Sequence, residues 1–258
     1  MSASQKVSKK VSQKHGVSPR VVKKVARRIP QPVKRRLRRT LPQRYWRFFD
    51  PGWHRHVMGT PGEFQRLGKL QLDFLTSQGL EPGHYFLDVG CGPLRAGVHL
   101  IRYLEPGRYY GIDRRADWLE IGRDLEVPRN GLVDKRPTLM QMDDFGFERL
   151  GRTFDYAIAQ SVFTHLPVNN IMRCLANMER ALTSGGKFFA TFYVNEGGKM
   201  SLEPVPQTGR ISSYFDRNPF HYDFSTFEWI CEGTSLTPKF VGEWGSPRNQ
   251  KMLVFEKA

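Results

Sequence analysis

The sequence predicts an α/β protein in which a mostly parallel, doubly wound sheet follows a basic N-terminal arm and ends in an antiparallel hairpin. Two observations carry this prediction: strand-like and helix-like segments alternate after residue 59, and the excess of positive charge lies in the first 58 residues. Strands that alternate with helices form parallel sheets with right-handed crossovers. We therefore divide the chain into an arm, residues 1–58, and a domain, residues 59–258.

The charge distribution separates the arm from the domain. Residues 1–58 hold 17 basic residues and one acidic residue, whereas the other 200 residues hold 23 basic and 24 acidic ones. The formal charge of +15 therefore arises in the arm. The domain is almost neutral and is long enough to bury one hydrophobic core of ordinary size.

The arm contains two predicted basic helices and an aromatic cluster. Residues 1–20 have low complexity, which predicts disorder. Residues 21–29 and 33–41 carry apolar side chains at helical spacing, and Pro30 and Pro32 separate the two segments. The aromatic cluster that follows comprises Tyr45, Trp46, Phe48 and Phe49.

More than one partner fits residues 21–49. An anionic membrane surface attracts each Lys or Arg by about 1 kcal/mol, and aromatic side chains settle at the headgroup level. Nucleic acid offers phosphates to the same charges and bases to the same rings. A solubilising tail whose aromatic residues pack on the domain, and an organelle transit peptide, are two further interpretations. We favour the anionic membrane surface over nucleic acid.

The composition predicts a cytoplasmic protein, held peripherally at the inner face of the membrane. No apolar run reaches the ~18 to 20 residues that a spanning helix needs, and no apolar region with a cleavage site marks a secretory leader. The chain has three cysteines, an odd number, and they are widely spaced: Cys91, Cys174 and Cys231. They are expected to be reduced thiols, and we expect neither a zinc site nor any other metal site.

The alternating segments are assigned in chain order. A helix is predicted between Pro61 and Gly79. The predicted strands are 84–90, 108–113, 137–143, 154–160 and 186–194, and the further predicted helices are 96–104, 116–125 and 167–182. We expect Gly185 and Gly186 to end the last of these helices. The strand that follows is long, apolar and rich in β-forming residues, which is typical of a strand buried on both faces.

The C-terminal part has a different pattern. Residues 195–222 are polar and rich in Gly and Pro, which predicts a lid or substrate loop. Ser225 and Glu228 are predicted to form the capping box of a short helix. Segments 238–244 and 250–257 have strand patterns and are joined by a short turn, so they predict an antiparallel hairpin on one edge of the sheet.

The clearest chemical signal is the glycine-rich segment LDVGCGPLRAG, residues 87–97, between a predicted strand and a predicted helix. Gly90 and Gly92 let the backbone approach a ligand, and a helix beginning near Leu94 would present unpaired N–H groups to it. The second strand ends in Asp113, 21 residues after Gly92. A carboxylate there can accept hydrogen bonds from both hydroxyls of a ribose.

The third predicted strand ends in Asp143 and Asp144, which places an acid beside the adenine pocket of such a site. We favour Asp143, although either residue can instead cap a helix. A simple turn is the alternative interpretation of the two glycines, and a surface carboxylate is the alternative for Asp113.

These features resemble the class I S-adenosylmethionine-dependent methyltransferases. Four segments agree in order, namely LDVGCG, YYGID, MDDFGF and FDYAIAQSVFTHL. The spacing in GCGPLRAG also fits this family better than the dinucleotide-binding pattern G-x-G-x-x-G. The resemblance covers about residues 62–258. It implies S-adenosylmethionine as the cofactor and a Rossmann-like, seven-stranded sheet whose last two strands form the edge hairpin.

The resemblance also implies eight cofactor-binding residues, which are Asp88, Gly90, Cys91, Gly92, Asp113, Asp143, Gln160 and Ser161. The first four would line the methionine part of the cofactor, and Asp88 can organise its ammonium group. Asp113 would hold the ribose, and Asp143 would approach the adenine amine. Gln160 and Ser161 would lie beside the sulfonium. The Cys91 side chain is expected to pack in the loop rather than to act as a nucleophile.

Methyl transfer from a sulfonium is an in-line displacement, and a base is needed only if the acceptor keeps its proton until the transition state. His165, His221 and Tyr222 are the candidates for that base. A structural histidine inside its loop is the alternative interpretation of His165.

The fourth predicted strand is followed by AQSVF rather than the N/D-P-P-Y/F motif of methyltransferases that modify amines of nucleic acids. We therefore expect O-methylation of a glycan, a lipid-linked sugar or another small metabolite at the cytoplasmic membrane face. A small-molecule amine is a further acceptor class that the motif allows. The alternatives are an RNA methyltransferase that binds RNA through the arm, and a non-catalytic cofactor-binding protein.

Overall fold

The computed structural model describes residues 30, 33, 52, 54, 55, 61–197, 201–208 and 211–258. The two predicted arm helices and the aromatic cluster therefore lie outside the described residues, apart from Pro30 and Val33. Contacts divide the chain into two compact units, Met1–Phe64 and Gln65–Ala258. None of the described helices is both long and apolar enough to cross a membrane.

The described residues contain strands and helices in alternation. The strands are β1 Phe86–Val89, β2 Tyr109–Asp113, β3 Thr138–Gln141, β4 Phe154–Ala159, β5 Leu182–Val194, β6 Val205–Pro206, β7 Ser212–Ser213, β8 His221–Tyr222, β9 Leu236–Gly242 and β10 Lys251–Lys257. The helices are α1 Pro61–Ser77, α2 Gly97–Tyr103, α3 Ala116–Ile121, α4 Val127–Arg129, α5 Val168–Ala181 and α6 Ser225–Cys231. A π-helical turn, Gly122–Glu126, joins α3 to α4.

Seven strands form the main path of the sheet, in the order β3-β2-β1-β4-β5-β10-β9. The first five strands are parallel to one another, whereas β10 is antiparallel to both β5 and β9. The predicted doubly wound sheet with a C-terminal antiparallel hairpin is thus confirmed. The strand β8 adds an eighth strand, parallel to the end of β5, where His221 pairs with Tyr193.

The sheet is buried on both faces, as the apolar strand β5 shows. Phe188 belongs to the hydrophobic cluster on one face and Phe189 to the cluster on the other, and both are 0% exposed. Successive side chains of a strand point to opposite faces, so a strand covered on both sides must be apolar at every position. The neighbouring strand β10 repeats this alternation at Val254 and Phe255.

The predicted helices 96–104 and 167–182 agree with α2 and α5 to within one residue at each end, but two signals read near their ends are wrong. Helix α2 begins at Gly97 rather than near Leu94, because Leu94 has a φ of 64°, which a right-handed helix does not allow. Helix α5 ends at Ala181, because Leu182 is already extended. Gly185 and Gly186, predicted to end this helix, instead lie inside β5, where the pairing with β4 shifts register.

The C-terminal part also differs from two predictions. Ser225 is the first residue of α6 rather than its cap, and the side chain of the N-cap residue, Phe224, forms no capping hydrogen bond. The carboxylate of Asp223 instead accepts a hydrogen bond from the Ser225 amide at 2.9 Å. The segment 195–222 is not a loop throughout: it contains the two-stranded ribbon β6–β7 and ends in β8.

Candidate active site

The glycine-rich loop follows β1 at the carboxyl edge of the sheet. The backbone amides of Gly90 and Cys91 both donate hydrogen bonds to the carbonyl of Ile112 on β2, at 2.8 and 3.0 Å. Gly90 has a φ of 75°, and a Cβ atom there would lie 2.6 Å from Cγ2 of Val162. Only glycine fits both constraints, so the loop forms a cradle in which the backbone itself faces the space above β1.

Asp113 ties the loop to the end of β2. Its Oδ2 atom accepts a hydrogen bond from the Gly92 amide at 2.9 Å, and its Oδ1 atom accepts one from the Arg115 amide at 2.8 Å. Each carboxylate oxygen has a second lone pair and can accept another hydrogen bond. The carboxylate is therefore held in place by the protein while it keeps the capacity to bind two hydroxyl groups.

Asp88 is the buried acid of the site. It is 4% exposed, and the Tyr109 hydroxyl donates a hydrogen bond to its Oδ2 atom at 2.8 Å. The pKa of Asp88 is raised to about 7, mainly by burial; the Tyr109 hydrogen bond lowers it, the charge of Asp113 raises it and the charge of Arg95 lowers it. A nearby cation favours the ionised form of such a carboxyl group. A cationic ligand group beside Asp88 would therefore stabilise its carboxylate.

The Cys91 side chain packs inward, against β2. A Cβ atom on Gly111 would lie 2.9 Å from the Cys91 Sγ atom, so the sulfur occupies the space that this glycine leaves. Burial raises the pKa of the Cys91 thiol well above its ordinary value. A thiol that stays protonated is a poor nucleophile, which agrees with a packing role for this side chain.

The two acids after β3 have different surroundings. Asp144 accepts a hydrogen bond from the Gly146 amide at 3.2 Å and forms an ion pair with Arg149. The pKa of Asp144 is lowered, chiefly by the hydrogen bond from the Gly146 amide. Asp143 is exposed and has no hydrogen bond to the rest of the described chain. The carboxylate of Asp144 therefore stabilises the turn, whereas the carboxylate of Asp143 is free to bind a ligand.

Gln160 and Ser161 belong to a polar cluster after β4. The Oε1 atom of Gln250 accepts hydrogen bonds from Ser161 Oγ at 2.8 Å, Thr191 Oγ1 at 2.9 Å and Gln160 Nε2 at 3.3 Å. The Ser161 amide also donates to Thr191 Oγ1 at 2.8 Å. Gln250 and Thr191 were not singled out from the sequence. Gln250 reaches the cluster because β10 is antiparallel to β5, so β10 begins at the carboxyl edge of the sheet.

Two of the candidate bases lie where residues 218–222 meet the loop after β4. The Nδ1 atom of His165 lies 2.6 Å from the amide oxygen of Asn218, and His165 is exposed. The Tyr222 hydroxyl donates to the carbonyl of Leu166 at 2.5 Å, and the Phe220 amide donates to that of Thr164 at 2.7 Å. Burial raises the pKa of Tyr222. The Tyr222 hydroxyl therefore forms a structural hydrogen bond to the loop after β4.

His221, the third candidate, points into the protein. It is 2% exposed, and its Nδ1 atom lies 3.1 Å from Ser213 Oγ. Burial lowers the pKa of His221, so the ring is neutral at pH 7. Of the three candidates, His165 alone combines an exposed ring with a hydrogen bond that orients it. An amide oxygen only accepts hydrogen bonds, so Nδ1 of a neutral His165 carries the proton and Nε2 is left as the basic atom.

Comparisons with known proteins give matches to methyltransferases. Residues 87–188 match a family model described as a methyltransferase domain. The probable methyltransferase ltbC of Aspergillus luteorubrus is 27% identical over 110 residues, which are 40% of this chain and 37% of that protein. The chain thus matches well under half the length of this curated relative.

Solved structures share the fold. Magnesium protoporphyrin IX methyltransferase from Synechocystis PCC 6803, with bound S-adenosylmethionine, has a TM-score of 0.54 and 16% identity, over 75% of this chain and 81% of its own. An S-adenosylmethionine-dependent methyltransferase from Clostridium acetobutylicum has a TM-score of 0.55 and 14% identity, over 73% and 91% of the two chains.

The fold is the one that these solved methyltransferase structures share, and its central segment matches the model of a methyltransferase domain. Residues 87–188, which match the methyltransferase family model, contain the glycine loop, Asp113 and the strand β4. The residues present also fit the cofactor. The cradle at Gly90 has no room for a side chain, and the Asp113 carboxylate lies beside it with acceptor capacity for a ribose.

Proposed function

We propose that the protein transfers the methyl group of S-adenosylmethionine to an oxygen atom of a glycan, a lipid-linked sugar or another small metabolite. The observation that carries this proposal is the exposed, oriented imidazole of His165 in the loop after β4. A hydroxyl acceptor is a weak nucleophile until it loses its proton, so its methylation benefits from a base. The sequence AQSVF at the end of β4, in place of N/D-P-P-Y/F, argues against an amine of a nucleic acid as the acceptor.

In this mechanism the chain aligns the reactants and removes one proton. The bound cofactor supplies an electrophilic methyl group on its sulfonium. The side chains of Gln160, Ser161 and Thr191 all donate to the amide oxygen of Gln250, and these three hydrogen bonds hold the end of β4 in one conformation. The Nε2 atom of His165 takes the proton of the acceptor hydroxyl. Alignment to about 3 Å and exclusion of water contribute most of the remaining acceleration.

We expect His165→Asn to lower kcat for methyl transfer about 100-fold, because loss of a general base costs at least that factor. The asparagine amide can keep the contact with Asn218, while the atom at the Nε2 position is lost. Affinity for S-adenosylmethionine should not change. Titration calorimetry measures the affinity, and transfer of radiolabelled methyl to glycan, lipid-linked and metabolite fractions measures kcat. Phe163→Leu, in the same turn but buried, serves as a control for general disturbance.

The position of the label tests the chemical class. Label that is released by mild base identifies a methyl ester, and label that resists base but not ether cleavage identifies a methyl ether. Label on RNA or on a nitrogen atom would replace the proposal by one of its alternatives. A protein that binds the cofactor and transfers no methyl group to any fraction would be a cofactor-binding protein only.

We further propose that residues 21–49 hold the protein at an anionic membrane surface. The support is the concentration of 17 basic residues in the first 58, next to four aromatic side chains within residues 45–49. The full chain should sediment with vesicles containing phosphatidylserine and not with phosphatidylcholine vesicles. Replacing Arg35, Arg36, Arg38 and Arg39 by Gln should lower binding more than 10-fold, since each charge contributes about 1 kcal/mol.

The same assay separates the alternative partners. Equal and negligible sedimentation with both kinds of vesicle would contradict membrane attachment. Tight, salt-sensitive binding to single-stranded RNA, combined with no preference for anionic vesicles, would favour the RNA alternative.

A further inference from the structure

Arg95 is a buried cation inside the glycine-rich loop. Its side chain is 6% exposed. Its Nε and Nη1 atoms have no hydrogen-bond partner in the part of the chain that the structure describes. A guanidinium group presents five N–H donors and remains charged in proteins. Because a buried charge without a partner opposes folding, a group that supplies an anion to these donors would be bound strongly.

The loop holds Arg95 in place through its backbone. Leu94 has a φ of 64°, and its side chain fills the space beside Gly97 and Gly122, where a Cβ atom would lie 2.7 and 2.9 Å from it. On the other side, a Cβ atom at Gly68 of α1 would lie 2.1 Å from the Arg95 carbonyl oxygen. The position of Arg95 is therefore determined without any bond from its own guanidinium.

The charges around Arg95 come from two elements. The pKa of Arg95 is lowered to about 10, mainly by burial; the charge of Arg248 lowers it too, and the charge of Asp88 raises it. Arg95 thus lies in the field of Asp88, yet no hydrogen bond or ion pair joins these two residues within the described chain. Asp88 instead accepts its hydrogen bond from Tyr109. The two opposite charges therefore influence each other electrostatically without forming a direct ion pair.

Arg248 approaches from the far end of the sequence. It lies in the turn between β9 and β10, and β10 begins with Lys251, which pairs with Phe192 near the end of β5. This turn is therefore at the same carboxyl edge as the glycine loop. It brings a second positive charge to the region of Arg95, while Gln250 of the same segment contacts Ser161.

We propose that Arg95 binds the carboxylate of the amino-acid part of S-adenosylmethionine, opposite Asp88, which faces the ammonium group, with Arg248 adding positive charge. The inference rests on the proposed function, because it assigns a residue to the cofactor. The ammonium and the carboxylate of an amino acid are attached to one carbon atom. A receptor for them needs an acid and a cation that influence each other electrostatically and are not joined, and the buried residues Asp88 and Arg95 meet this requirement.

The test compares two ligands that differ only in the carboxylate, S-adenosylmethionine and its decarboxylated form. Titration calorimetry measures both affinities for the full-length wild-type protein and for Arg95→Met. Wild type should bind S-adenosylmethionine about 10- to 100-fold more tightly than the decarboxylated ligand, the range expected for hydrogen bonds to a charged group. Arg95→Met should lose this preference and should bind the decarboxylated ligand as wild type does.

Two further variants and a melting experiment distinguish binding from a structural role. Arg95→Met without ligand should melt no lower than wild type, because the substitution removes a buried, unpaired charge. Arg248→Met should reduce the preference for the carboxylate by a smaller factor, and Arg102→Met, an exposed arginine of α2, should leave it unchanged.

The outcomes separate this inference from the function on which it rests. If Arg95→Met weakens both ligands equally and lowers the melting temperature, Arg95 is a structural residue and the inference is wrong. Unchanged affinity of Arg95→Met for S-adenosylmethionine would also overturn it, while the methyltransferase proposal would stand. If the wild-type protein binds neither ligand, the proposed function itself fails.

Discussion

Replacing Asp113 with alanine is expected to lower the affinity for S-adenosylmethionine about 100-fold. A carboxylate that accepts two ribose hydroxyls contributes two hydrogen bonds to a charged group, at about 1.5 kcal/mol or more each, and 1.4 kcal/mol corresponds to a factor of ten. The variant also leaves the amides of Gly92 and Arg115 without their acceptor, so the loop loses its link to β2. Titration calorimetry with S-adenosylmethionine measures the loss.

Two control variants test whether the loss of affinity comes from the carboxylate of Asp113. Asp113→Asn keeps one acceptor oxygen and should fall between wild type and Asp113→Ala. Asp134→Ala changes an exposed carboxylate in the turn Val133–Lys135 and should bind as wild type does. Asp113→Ala with unchanged affinity would exclude Asp113 from the ribose site, even if the protein proves to be a methyltransferase.

The second large effect is expected for Gly90→Ala. The new Cβ atom would lie 2.6 Å from Cγ2 of Val162, and alanine would be forced to a φ of 75°. The conformational strain alone costs about 1 to 2 kcal/mol, and the contact must displace either the loop or Val162. We expect the melting temperature to fall and S-adenosylmethionine binding to be weakened more than 10-fold, as measured by thermal unfolding with and without the cofactor.

The chain offers a matched control for the strain. Gly151 has a φ of 67°, but a Cβ atom there would meet nothing within 4 Å. Gly151→Ala should therefore show the strain without any loss of cofactor affinity. The double variant Gly90→Ala/Val162→Ala removes the colliding methyl group and should recover part of the binding. If Gly90→Ala behaves like Gly151→Ala, the close approach of Val162 has no role in forming the cradle.

Much of the fold could be predicted from local pattern. The alternation of apolar strands and amphipathic helices indicated the parallel sheet, and two strand-like segments around a short turn indicated the hairpin β9–β10. These signals are local because side-chain periodicity reports which face of an element is buried. The conformation of the turn before α2 was less predictable. The start of α2 depends on the positive φ of Leu94, which the packing of Leu94 beside Gly97 and Gly122 supports and which no local preference of leucine would predict.

The sequence predicted only those contacts of the candidate site that join consecutive elements. Gly90, Gly92 and Asp113 could be found because the loop and the strand end are adjacent in the order of the elements. The interpretation of Tyr222 as a base could not anticipate its hydrogen bond to Leu166, 56 residues away. In the same way, the AQSVF segment gave no indication of Gln250, which contacts Ser161 from a position 89 residues later.

The sequence by itself determined the order of the elements, the glycine-rich loop after β1 and the separation of a basic arm from a nearly neutral domain. Only the tertiary structure decided which side chains meet: Gln250 with Ser161, and Asn218 with His165. The physical reason lies in the range of the forces. Backbone preference and periodicity act over a few residues, whereas these contacts depend on the antiparallel register of β10 against β5 and on the seating of residues 218–222 beside the loop after β4.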